Sequence, residues 1–306
     1  MPRLTIGLPV YNGENYLSEA LDALLAQSFT DFRLLVSDNA STDSTPQILA
    51  RYASLDPRIT VVRQSENIGG TKNFIYVLEA AETPLFMWAA HDDRFAPTFL
   101  ASSIDILDND PTAVLCTADI AFMHEAGVPT RIEANLDTAG MDRQTRVNAL
   151  LRRFGWYAVY GVARTHALLA TRPFTGHYGA DVVQTLQLLL SGSIRSVPEP
   201  LIAYRIPATF ARSAAEQYLV IDHTKAVADR PYTEMAEDLI IAVRQAGLSA
   251  SEEDSIVDTV VRTIAFENPK FADQLGVENG FNPAADVLDT LRQLRRLDVR
   301  RSGARS

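Results

Sequence analysis

Four apolar runs of strand length, Leu4–Pro9, Phe32–Val36, Ile59–Val62 and Leu85–Trp88, follow one another down the first third of the chain. Between them lie segments of helical periodicity. Tyr16–Ala26 carries Leu17, Ala20, Leu21, Leu24 and Leu25 on one face, Ser44 and Thr45 open a helix with Pro46 in its first turn, and Thr71–Ala81 reads as a third helix. Strands that alternate with helices need crossover connections. Their stable arrangement is an α/β fold with a mostly parallel sheet flanked by helices. In such sheets ligands sit beyond the carboxyl ends of the strands. The polar clusters of this sequence fall at those ends.

The pattern continues with a helix over Pro97–Leu107 and a strand over Ala113–Phe122. Glu125–Asp142 is rich in turn formers and charges and reads as a mobile loop, a lid or an acceptor loop. Val182–Leu190 reads as a helix, and Gly192–Arg205 as two short strands around Pro198 and Pro200. From Ala214 onward only helices are expected: Gln217–Asp229, Thr233–Ala246, Ser251–Phe266 and Pro283–Val299. Ser251 with Asp254 resembles a capping pair. The expected organisation is a catalytic domain over residues 1–212 and a helical region over 213–306.

The single cysteine, Cys116, sits in an apolar strand and excludes an internal disulfide, which fits a reducing compartment. The N-terminal apolar run is too short for a signal peptide, and no stretch reaches the length of a membrane span, so a cytoplasmic protein is expected. The net charge of −10 argues against nucleic-acid binding. Arginines 292, 295, 296, 300, 301 and 305 are the exception. They offer a peripheral contact with anionic lipid, although a solvated end accounts for them more simply. A homodimer contact through the late helices is a further expectation.

Four clusters carry candidate chemistry. Pro9-Val10-Tyr11-Asn12 ends the first strand, where Tyr11 suits stacking on a nucleobase; a strand-ending turn explains it equally well. Asp38, in Ser37-Asp38-Asn39-Ala40-Ser41-Thr42-Asp43, suits a hydrogen bond from a base or ribose, while Asp43 suits a capping role. Asn67-Ile68-Gly69-Gly70-Thr71-Lys72 precedes a helix whose amides and dipole favour a phosphate, with Lys72 adding a point charge. His91-Asp92-Asp93 follows the fourth strand. Adjacent carboxylates repel unless something positive lies nearby, and Mn²⁺ or Mg²⁺ is the natural partner; a solvated acidic turn is the alternative.

In this order and spacing the clusters resemble family 2 glycosyltransferases, which have a GT-A fold, from about Leu4 to Arg205. The resemblance implies that Pro9, Tyr11 and Asp38 hold a nucleoside, that Asn12, Asn67, Gly69 and Lys72 line the donor site, and that Asp92 and Asp93 supply metal and ribose contacts. The family often writes the last motif Asp-x-Asp-Asp. Here Ala90 replaces its first Asp, which leaves open which of Asp92 and Asp93 meets the metal. His91 fills the variable position and reads as packed beside Trp88. Asp181 stands where the family places its acidic base, although an N-cap for the following helix also explains it. Arg205 approaches the diphosphate or pairs with an acidic loop. The implied reaction is inverting transfer of a sugar from a nucleoside diphosphate, UDP foremost, to a glycan or lipid-linked acceptor in polysaccharide synthesis. An inactive binding module and a sugar nucleotidyltransferase are the alternatives. The first is motivated by Ala90. The second is disfavoured because the loop after the first strand lacks Lys and Arg.

Overall fold

The computed structural model describes residues 1–153, 156–174, 176, 178–206 and 230–280. The expected helices Gln217–Asp229 and Pro283–Val299, His177, His223, the 212/213 boundary and the arginine cluster lie outside the described residues.

Strand β1 (Leu4–Val10) pairs in parallel with β2 (Phe32–Asp38) on one side and β4 (Leu85–Trp88) on the other, and β2 pairs with β3 (Ile59–Arg63). Helices α1 (Leu17–Leu25), α2 (Thr45–Leu55) and α3 (Gly70–Glu79) make the crossovers. Alternation along β1 sorts its side chains. Leu4, Ile6, Leu8 and Val10 enter one core with α1, α2 and α4 (Phe99–Asn109). On the other face Leu35, Phe86 and Trp88 join Val77 of α3, with the Phe86 and Trp88 rings edge to face at 5.0 Å.

The sheet runs β3-β2-β1-β4-β8-β6-β9-β5. Its long strands are parallel, including β6 (Ala113–Met123) beside β9 (Ser193–Arg205). Three short strands run against their neighbours: β5 (Arg94–Phe95), β7 (Pro129–Glu133) and β8 (Val162–Arg164). Gly192–Arg205 therefore holds one strand, not two. Val197 faces Ala118 and Ile202 faces Ile120, so Pro198–Leu201 arch out between them. Both prolines lie in that arch, where a missing N–H breaks no ladder bond.

Glu125–Asp142 is folded instead of irregular. β7 closes a hairpin on β6, and Asn135 donates its amide to Asp119 while Thr138 donates to Ile194. The Pro-Thr-Arg-Ile-Glu strand is largely exposed and lacks an apolar face, so periodicity gave no sign of it. Residues 143–169 add α5 (Arg143–Arg153), a 3₁₀ turn over Trp156–Tyr160, and α6 (Thr165–Leu169). Helix α7 (Ala180–Ser191) then crosses to β9.

Helices α8 (Pro231–Arg244), α9 (Ala250–Arg262) and α10 (Pro269–Asn279) follow, with a π-helical turn over Thr263–Glu267. Met235, Leu239, Ile256 and Val260 share one core with Val147, Val183 and Leu186. The α9 cap is Ser249, not Ser251. Its hydroxyl accepts from the Glu252 amide and bonds the Glu252 carboxylate, a reciprocal box that Ser251 and Asp254 do not form. Among the described residues no helix is long and apolar enough to cross a membrane.

Gly161 sets how closely β8 approaches β6. A Cβ there would lie 2.6 Å from the Cys116 carbonyl oxygen. The Cys116 thiol is fully buried, and burial pushes its pKa up to about 12. Native protein at pH 8 should therefore resist iodoacetamide. Gly161→Ala should cost about 1–3 kcal/mol through overpacking. It should speed alkylation of Cys116 and lower the urea midpoint. A variant that labels and unfolds like the parent would show that the strands are not held that close.

Candidate active site

The carboxyl ends of β1, β2, β3 and β4 open on one edge of the sheet, and side chains lace the loops there together. Asn12 (φ 51°) donates its amide to the Ser41 hydroxyl at 2.9 Å, and its carbonyl accepts from the Thr42 amide at 2.8 Å. The Gly13 amide donates to Thr45, the Glu14 amide to Asp43, and the Ser44 amide to Glu14. Ala40 is also left-handed, at φ 57°. A conformation that an L-residue disfavours persists only where neighbours over-determine it. These cross-loop bonds do so. Asp43 serves the helix end as expected: its carboxylate accepts the Thr45 amide.

Several expected donor ligands spend their side chains inside the protein. Asp38 is buried; one oxygen accepts the Ser41 amide at 2.9 Å, and the other is paired with Arg63. Half-exposed Arg63, the last residue of β3, stands beside it. Asn67 accepts from Asn39 and from the Gly69 amide, each at 2.9 Å, and so shapes the turn. Gly69 takes φ 86° at the mouth of α3, a value that favours glycine. Pro9 is buried and Tyr11 half-buried at the end of β1. Lys72 is exposed on the first turn of α3.

Arg205 is spent inside the protein. It is 2% exposed, and each of its side-chain nitrogens meets protein. Nε donates to the Asp92 carbonyl at 2.9 Å, one terminal nitrogen to the carbonyls of His124 and Glu125, and the other to Glu19 at 2.7 Å. The guanidinium stacks on Tyr16 at 4.2 Å. Glu19 also binds Arg94 at 2.9 Å, and Arg94 donates to the Gly127 carbonyl at 2.8 Å. The acid it pairs with, Glu19, lies on helix α1 and not in a loop. Sequence reading missed Glu19 because it sits far from every motif.

The two carboxylates after β4 differ. Asp93 is 1% exposed; one oxygen accepts the Arg205 amide at 2.9 Å, and the other is buried with no hydrogen-bond partner among the described residues. Burial and the Asp92 charge hold its carboxyl well above the usual range, against an opposing pull from Arg205. Asp92 is half-buried, and among the described residues its carboxylate has no hydrogen-bonding partner. His91 lies against Gly13, where a Cβ would come within 2.8 Å of the ring.

Asp181 occupies the first turn of α7. The N-cap is Gly179, at φ 75°, so Asp181 does not cap the helix, although its carboxylate accepts the Val182 amide at 2.8 Å. Burial raises the phenols of Tyr160 and Tyr204, and the charges of Asp92, Asp93 and Asp181 add to it. Tyr160 stands just before Gly161 and β8, whose Ala163 faces Phe86 in the strand leading to the Asp pair. Among the described residues its hydroxyl has no hydrogen-bond partner. Tyr204 packs with Phe122 and Tyr157 at ring separations of 5.9 and 6.2 Å. Tyr160 carries no motif, and only the pairing of β8 beside β4 brings it to the site.

A hollow of about 460 Å³ lies at the opposite edge of the sheet, lined by Arg3, Leu85, Asp108, Arg164 and His166. Arg3 and Asp108 pair with each other there at 2.7 Å. The Asp92-Asp93 pair follows β4 at the other edge.

The sequence model described as "Glycosyl transferase family 2" matches residues 5–170. An uncharacterised protein of Mycobacterium bovis is 30% identical over 206 residues, covering 64% of this chain and 56% of its own length. The chain thus spans little more than half of that relative. An uncharacterised glycosyltransferase of Rickettsia typhi is 32% identical over 118 residues, 38% of this chain and 36% of that protein. Among solved structures, S. aureus TarS (residues 1–349) in complex with UDP-GlcNAc superposes with a TM-score of 0.66 at 17% identity, covering 97% of this chain and 88% of that one. A Pyrobaculum calidifontis mannosyltransferase in complex with GDP-Man and Mn²⁺ gives 0.58 at 18% identity, with 97% and 83% coverage. These superpositions establish a GT-A fold, and the sequence match establishes the lineage: this chain belongs to glycosyl transferase family 2.

Proposed function

We propose that this protein transfers a sugar from a nucleoside diphosphate to an acceptor hydroxyl with inversion at the anomeric carbon. The observation that carries the reading is the Asp92-Asp93 pair beyond the carboxyl end of β4, where Asp93 is buried and keeps one oxygen with no hydrogen-bond partner among the described residues. A buried carboxyl with perturbed ionisation beside a second acid favours a site that meets cationic groups.

Asp181 takes the proton of the acceptor hydroxyl as its oxygen bonds to the anomeric carbon. The bond from that carbon to the diphosphate breaks, and its electron pair leaves with the nucleotide. Attack opposite the leaving group inverts the configuration. No covalent sugar-enzyme intermediate is needed. Tyr160 stays protonated and donates its hydroxyl to a substrate oxygen. Lys72 and the amides opening α3 meet phosphate oxygens. Tyr11 and Arg63 flank the nucleobase. The remaining work is alignment.

The residues present fit a divalent cation. Asp93 keeps a buried oxygen without a partner, and Asp92 stands open beside it. Asp92 and Asp93 would hold the cation, and when bound it supplies positive charge against the leaving diphosphate.

UDP is the first donor to test, because TarS structures hold UDP and UDP-GlcNAc. A glycan or lipid-linked acceptor, and a role in surface polysaccharide, complete the proposal.

Calorimetric titration with UDP, dTDP and GDP, each with and without Mn²⁺, tests it. One nucleotide should bind, and its affinity should depend on the metal. No binding under any condition would instead indicate an inactive module. Asp92→Ala should weaken Mn²⁺-dependent binding by about 10–100-fold with the melting temperature unchanged. Asp93→Ala should weaken it too, and should also lower the melting temperature, because the Arg205 amide loses its acceptor. Asp181→Asn should retain nucleotide affinity and lose about 10²–10⁴-fold in transfer rate. Near-full transfer by that variant would remove Asp181 as the base. Tyr160→Phe should reduce kcat/KM by roughly three- to ten-fold, the equivalent of one hydrogen bond. UDP affinity should not change, and an unchanged kcat/KM would place the phenol outside the substrate's reach.

A further inference from the structure

The helices after residue 230 lie beyond the family match, yet they reach the turn that carries Asp181. Gly179 precedes α7 in the left-handed region, and the space where its Cβ would stand is filled by Met235 of α8. The sulfur would lie 2.2 Å away. Tyr178, one residue earlier, packs on Tyr232 with ring centroids 5.0 Å apart. Tyr232 in turn meets Phe271 of α10 edge on at 5.2 Å. The start of α8 is itself fixed. Glu278 of α10 accepts from the amides of Tyr232 and Thr233 at 3.0 and 2.8 Å, and from the Thr233 hydroxyl at 2.6 Å. An acid there satisfies amides that a helix start leaves open.

We propose that α8 and α10 form a clamp that sets the position of Asp181, with Tyr232 and Met235 as its positioning residues. The inference rests on the reading of Asp181 as the base. The chain of contacts runs from Glu278 to the α8 start, from Tyr232 and Met235 to Tyr178 and Gly179, and from there two residues along the backbone to Asp181. Neither positioning residue touches substrate. Their effect is on where the carboxylate stands. A base displaced by a fraction of an ångström loses its alignment with the acceptor hydroxyl. The donor loops of β1, β2 and β4 are held by other bonds, so the clamp acts on the base and not on nucleotide affinity.

Amide hydrogen exchange on the full chain tests this without an identified acceptor. Tyr232→Leu keeps an apolar side chain and removes the ring that packs on Tyr178, and Met235→Ala empties the space against Gly179. In each variant the α7 amides from Val183, which donates to the Gly179 carbonyl, to Thr185 should exchange faster. For Tyr232→Leu the expected factor is roughly three- to ten-fold, the equivalent of one aromatic pair. Exchange in β1 and β2 and the affinity for UDP should match the parent. Unchanged exchange in α7, or an equal rise in β1 and β2, would overturn the clamp. Asp181→Asn serves as the reference. If it retains transfer, the base assignment fails, and the exchange result still decides whether the clamp exists.

Discussion

The guanidinium of Arg205 is the point on which the site's architecture depends. It is a permanent positive charge taken out of water at the end of β9. Burying such a group is costly unless its donors are met. They are met by the Asp92 carbonyl, the turn after β6 and Glu19 of α1, with Tyr16 beneath the plane. Three segments far apart in the chain are thereby held against one side chain. A planar fork of donors can do this, whereas a lysine's point charge cannot reach all of them in fixed directions. The Asp92-Asp93 loop gains its orientation from that contact, since its backbone and the Asp93 carboxylate both bond Arg205.

A second constraint follows from the first. Asp93 is placed where burial and its neighbour's charge both penalise ionisation. The same arrangement leaves Asp92 open. Two adjacent acids of similar sequence thus take different tasks, one anchoring the loop and one facing the site. A similar division separates Asp38 from Arg63. The acid is consumed in closing its own loop, and the arginine that pairs with it stands at the surface.

The first half of the fold was legible because its signal is local. Apolar runs of strand length and amphipathic turns recur there, and each expected element lies within a few residues of the observed one. The region after Leu136 was harder. α5 is rich in arginine and buries only a narrow stripe, Val147, Leu150 and Leu151. β7 is largely exposed, and β8 and β5 are too short to show a period. These elements exist because neighbouring strands supply their hydrogen bonds, and that information is not local.

What the sequence determined alone was the α/β class, the placement of polar clusters at strand ends, and the adjacent acids Asp92 and Asp93 as candidates for chemistry; Asp181 entered through the family resemblance. The first three depend on periodicity or on residue type within a short window. What only the tertiary structure decided was how those side chains are spent. Asp38, Asn67 and Arg205 turn inward, Arg63 pairs with Asp38, and the late helices reach Gly179. Those outcomes depend on which strands pair and which charges must be neutralised once buried. Both are settled by contacts between residues distant in the chain, so no local window contains them.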